Sequence, residues 1–129
     1  MTYTYSDDIV SDLHKDARGF RPSEYFWEEW TQSPADVKQI IWDKLVVEME
    51  ESMAQQKADE ARALSDFRKQ VAAAMQTCNC NWTRAVEYLA DAEDNDVTCD
   101  QDFDYFLWKQ GIGFEDRAKI RKLYRKEAA

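Results

Sequence analysis

From Ala35 to Gln76 the chain contains neither glycine nor proline, and no other feature limits its fold as strongly. A run of this length without a breaker, rich in Ala, Glu, Gln, Lys and Met, favours one long helix or a helical hairpin. Ile41, Leu45, Met49 and Met53 recur every four residues, and Ala61, Leu64, Phe67 or Arg68, Val71 and Met75 continue the stripe. Between the two halves, Gln55-Gln56-Lys57-Ala58-Asp59-Glu60 is polar on every side. A continuous helix would run about 60 Å at 1.5 Å per residue, more than a compact domain of this size spans. The sequence therefore predicts either a break near 55–60 or a projecting helix that finds a partner helix.

Shorter helices flank this run. Ser6 as a cap, followed by Asp7 and Asp8, reads as a helix start, with Ile9, Val10 and Leu13 as a short apolar face and Gly19 as the stop. Arg21-Pro22-Ser23-Glu24 restarts the chain, and Phe26, Trp27 and Trp30 follow at helical spacing. Ser33-Pro34-Ala35-Asp36 predicts Ser33 as the cap of the long helix, with Pro34 in its first position. Thr77-Cys78-Asn79-Cys80-Asn81 reads as a turn. Beyond it, Trp82 to Leu89, Phe103 to Leu107 and Phe114 to Tyr124 mark three short helices, with Gly111-Ile112-Gly113 joining the last two. The expected fold is all-α: a long central helix or helical hairpin, short N-terminal helices and a C-terminal three-helix cluster. It is read as a single domain over 1–129, in segments 1–34, 35–76 and 77–129.

Charge is the second constraint. The formal net charge is −9, and it is unevenly placed: residues 77–110 carry −6 and residues 111–129 carry +3. Asp91, Glu93, Asp94, Asp96, Asp100, Asp102 and Asp104 follow one another with no Lys or Arg among them. Arg117, Lys119, Arg121, Lys122, Arg125 and Lys126 then crowd the last helix. An acidic surface repels nucleic acid and attracts basic proteins. Imitation of phosphate rows is therefore one reading of the acidic run. The other is a solvated loop leading into a helix whose positive end Asp100, Asp102 and Asp104 stabilise.

Chemistry-bearing patterns are weak. The run from Asp91 to Asp102 lacks the glycine of a calcium loop at its sixth position and has Asp in place of Glu at its twelfth. Cys78, Cys80 and Cys99 with His14 do not have the paired spacing of a zinc site, so no metal or cofactor is expected. His14, the only histidine, reads as a surface residue or a cap partner. The Gly111-Ile112-Gly113 connector before a basic helix is similar to a helix-hairpin-helix element, whose backbone N–H groups hold a phosphate. On that alternative, Gly111, Gly113, Lys119, Lys122, Arg125 and Lys126 bind nucleic acid. Against it, Glu115 and Asp116 sit where the phosphate would approach. The aromatic sets Phe20/Tyr25/Phe26/Trp27/Trp30 and Phe103/Tyr105/Phe106/Leu107/Trp108 exceed what one helix face can bury, so part of them is expected on the surface. The odd cysteine count, the absence of an apolar leader and the lack of about 18 consecutive apolar residues predict a cytoplasmic protein with no membrane span.

The run from Tyr5-Ser6-Asp7-Asp8-Ile9-Val10 through Leu13-His14-Lys15-Asp16-Ala17-Arg18 to Gly19-Phe20-Arg21-Pro22 resembles the opening of a group of small bacteriophage-encoded proteins. Trp42-Asp43 and Asp102-Phe103-Asp104-Tyr105-Phe106 continue that resemblance in outline. It implies a viral origin and the cytoplasm of an infected host. Taken with the charge pattern, the expectation is a non-enzymatic inhibitor of the anti-restriction or anti-CRISPR kind. Its partner would be a host protein with a basic surface, of nuclease or polymerase type, met by the seven carboxylates from Asp91 to Asp104. The alternatives are a homodimer built on the central helix and a nucleic-acid-binding accessory protein.

Overall fold

The computed structural model describes residues 2–129. It is all-helical, in the order α1 (Val10–Arg18), α2 (Glu24–Gln32), α3 (Ala35–Cys78), α4 (Trp82–Asp91), α5 (Asp100–Lys109) and α6 (Phe114–Ala128). The chain forms two compact units, Met1–Gln56 and Lys57–Ala129, and the boundary between them falls inside the polar stretch of α3. That stretch does not break: α3 is continuous over 44 residues. Its Gln, Lys, Ala, Asp and Glu side chains are good or tolerable helix formers, so the backbone needs no apolar contact to remain helical there.

In the N-terminal unit, Val10, Leu13, Trp30 and Leu45 form the buried centre, with Phe26, Trp27, Ile41, Trp42 and Met49 packed around it. Met53, on the same stripe of α3, is exposed. Gln39 Oε1 accepts the N–H groups of Thr4 and Tyr5 at 2.8 and 3.2 Å, tying the extended start of the chain to α3. Trp30 donates its indole N–H to Asp7 at 2.8 Å, which satisfies the one polar atom of an otherwise buried ring.

Two expected caps are corrected here. Ser6 contributes its carbonyl, which accepts Val10 N–H at 3.0 Å, and a turn precedes α1. Ser33 closes α2 instead of opening α3: its hydroxyl donates back to the Glu29 carbonyl at 2.5 Å. The Pro34 carbonyl accepts the first helical bond of α3, from Lys38 N–H. The proline ring fixes the entry angle whichever residue caps.

In the C-terminal unit, Phe67 and Val71 of α3 pack with Ala85, Val86, Phe103, Phe106, Leu107, Ile112 and Tyr124. Three of its connections use a residue with positive φ. Asn79 (φ 50) ends α3, Asp94 (φ 58) follows α4 and Gly111 (φ 86) follows α5. In each case the next residue's N–H reaches back five positions, to Met75, Ala90 and Leu107 respectively. This closure satisfies the last carbonyls of each helix, and Asn and Asp substitute for glycine in two of the three. The expected turn at 77–81 is therefore shorter, because α3 runs through Cys78.

Candidate functional site

Most carboxylates of the acidic run are held by neighbouring side chains or backbone. Asp100 accepts from Arg121 at 2.7 Å and from Arg125 at 3.3 Å. Asp104 accepts from Arg117 at 3.0 Å, and its nearest oxygen is 3.5 Å from Arg121 Nε. Arg117 also donates to the Ile112 carbonyl at 2.8 Å. Three arginines one helical turn apart on α6 thus clasp two carboxylates one turn apart on α5. Asp102 accepts from Asn95 Nδ2 at 2.9 Å and from Asp96 N–H at 2.5 Å, folding the α4–α5 loop onto the first turn of α5. Asp96 accepts both the N–H and the hydroxyl of Thr98, which hold its carboxyl below the usual range. Glu93 accepts from Gln110 at 2.5 Å and lies 3.8 Å from Lys109. Of the seven, Asp91 and Asp94 have no side-chain partner among the described residues.

The six candidate nucleic-acid residues divide similarly. Arg125 is committed to Asp100, while Lys119, Lys122 and Lys126 carry no ion pair among the described residues. Gly111 supplies the positive-φ turn, and a Cβ there would meet Ala63 Cβ at 3.2 Å. At Gly113 an added Cβ would lie 2.7 Å from a Glu60 carboxylate oxygen. A phosphate approaching Gly113 would have to displace that carboxylate.

His14 is buried at 2% exposure, not on the surface. Its Nδ1 lies 2.7 Å from the Phe20 carbonyl, which can only accept, so Nδ1 carries the proton. Nε2 faces Arg18 at 3.5 Å, and Arg18 is held by Glu48 at 2.9 Å. Phe20 and Phe26 meet the imidazole edge to face. The ring braces the turn after α1. The thiols of Cys78, Cys80 and Cys99 are free, and no group of three or more metal-ligating side chains gathers among the described residues. No helix among them is long and apolar enough to cross a membrane.

The unspent negative charge lies elsewhere. Met1–Gln56 holds twelve Asp and Glu against five Lys and Arg, a net −7, whereas Lys57–Ala129 holds fourteen against twelve, a net −2. Within the N-terminal unit Asp7 pairs with Lys38 and Trp30, Asp12 with Arg21, and Glu48 with Arg18. These contacts hold the Asp7 and Glu48 carboxyls below the usual range. Asp43 accepts from Gln39. The other eight carboxylates have no side-chain partner among the described residues. Three of them, Glu24, Glu28 and Glu29, stand on the outer face of α2 beside Tyr25, whose side chain is 79% exposed. The sequence did carry a signal for this surface: Glu at 24, 28 and 29 is out of phase with Phe26, Trp27 and Trp30. The longer acidic run at 91–104 obscured it.

No protein-family model, curated protein or solved structure matches the chain.

Proposed function

We propose that the protein is a non-enzymatic binding protein that acts by occupying a cationic surface on a host nucleic-acid-processing or defence complex. The observation that carries this reading is the net −7 of the N-terminal unit, with eight carboxylates that have no side-chain partner among the described residues. The seat proposed for the contact is the outer face of α2. There Glu24, Glu28 and Glu29 attract Lys and Arg, and the exposed Tyr25 ring supplies apolar area and a π-face for a guanidinium. Asp100, Asp102 and Asp104 of the other unit serve the fold. The phage-like opening of the sequence supports a host target, and the buried, braced His14 supports the absence of acid–base chemistry.

Binding and inhibition assays against purified host nucleases and polymerases, at low and high salt, test the reading. The wild type should bind at least one such enzyme with an affinity that falls as salt rises. Glu24→Lys/Glu28→Lys/Glu29→Lys with Tyr25→Ala should abolish that binding while the helical spectrum is retained. Binding that ignores both salt and these substitutions would overturn the proposal, as would turnover of a substrate by the purified protein.

A further inference from the structure

The C-terminal unit carries a second surface of opposite character. Leu64, Phe67 and Val71 of α3, Trp82 of α4, and Ile120 and Leu123 of α6 line an open furrow of about 160 Å³. It has room for a single large apolar side chain. The furrow continues both ways. Leu64 and Arg68 also border a 670 Å³ hollow that reaches Phe114, and Trp82 and Leu123 border one of 350 Å³ that reaches Glu127. From Phe114 to Glu127 α6 runs about 20 Å at 1.5 Å per residue, the length of a helix of three to four turns. Along it, Phe114 and Leu123 are 71% and 43% exposed.

Arg68 and Lys119 stand at the middle of this furrow. Neither side chain has an ion pair or hydrogen bond among the described residues, whereas the Arg117, Arg121 and Arg125 side chains of α6 are all held by Asp100 and Asp104. The ends of the furrow are net acidic, with Glu60, Glu115 and Asp116 against Lys57 at one and Glu127 at the other. An apolar floor with two unspent cations at its centre complements an apolar ridge whose central turn bears carboxylates.

We propose that this furrow docks an amphipathic helix of a protein partner, with apolar anchors at i, i+3 or i+4, and i+7 and with Asp or Glu in its central turn. The proposal is independent of the acidic face on α2, because it uses other residues and an oppositely charged ligand.

The test is selection of a display library of random helical peptides on the intact protein, followed by affinity measurement on the best synthetic peptide. Enriched peptides should share the apolar spacing and the central carboxylates. Arg68→Glu/Lys119→Glu changes two exposed side chains and should preserve the helical spectrum while weakening the peptide about tenfold or more. Glu24→Lys/Glu28→Lys/Glu29→Lys should leave peptide affinity unchanged. The proposal fails if nothing is enriched, or if enriched peptides lack carboxylates. It also fails if binding survives the double reversal, or if a DNA or RNA oligonucleotide binds through the same two cations in place of the peptide.

Discussion

Tyr124 shows how one side chain can fasten two helices. Its ring is buried against Phe103, and its hydroxyl donates to Glu87 of α4 at 2.9 Å. Glu87 in turn is held below the usual carboxylate range, chiefly by Arg84 and then by Tyr124. Burial, reinforced by the Glu87 charge, pushes the phenol from its ordinary 10.0 up to about 12. The folded state therefore prefers the neutral phenol. Its contribution to stability is complete below pH 10.0 and is lost as pH rises through about 12. Tyr124→Phe should cost about 1 kcal/mol at neutral pH through the lost hydrogen bond. It should also remove part of the alkaline loss of stability, as urea midpoints at neutral and alkaline pH will show. The residue scale is where the sequence was least legible. His14 reads as a surface residue because Ser11, Asp12, Lys15 and Asp16 surround it in sequence, yet Phe20 and Phe26 close over it from outside α1. Nothing local encodes that closure.

At the scale of elements, the clasp between α5 and α6 converts an acidic run into structure. Arg117 and Arg121 have side chains only 14% and 17% exposed, so removal of Asp104 leaves the Arg117 guanidinium without a carboxylate and Arg121 with Asp100 alone. Asp104→Ala should destabilise the protein by about 1–3 kcal/mol, whereas Asp91→Ala should fall within about 0.5 kcal/mol in the same denaturation assay. The elements themselves were largely readable. The glycine- and proline-free run became α3, Gly19 and Gly111 ended α1 and α5, and the three apolar clusters after Asn81 became α4, α5 and α6. Two things were not readable. The cap at Ser33 failed because its hydroxyl serves the helix before it, and the cap at Ser6 failed because a turn over Asp7 to Ile9 delays the start of α1. The pairing of the acidic run with the last helix depended on α5 and α6 packing together, which local sequence does not determine. The opposite signs of residues 77–110 and 111–129 were its one trace.

At the scale of the whole molecule, two cores share one chain but no buried residue. Leu45→Ala should cost about 2–5 kcal/mol and Phe106→Ala about 3–5 kcal/mol. Residue-resolved hydrogen exchange should show each substitution loosening the amides of its own unit, and the two costs should add. The charge ledger divides along the same boundary, so the proposed recognition of a cationic partner and of an acidic helix belong to different units. Glu60 beside Gly113 carries a consequence for how such a chain can drift over generations. Gly113 has ordinary negative φ, so the backbone tolerates any residue there, and the obstacle is the neighbouring carboxylate. Gly113→Ala alone should displace that carboxylate from the start of α6 and cost about 0.3–1 kcal/mol. Placed after Glu60→Ala, the same change should be silent in a melting experiment. History at these two sites would thus run in one direction more easily than the other, with position 60 yielding before position 113 is free to vary.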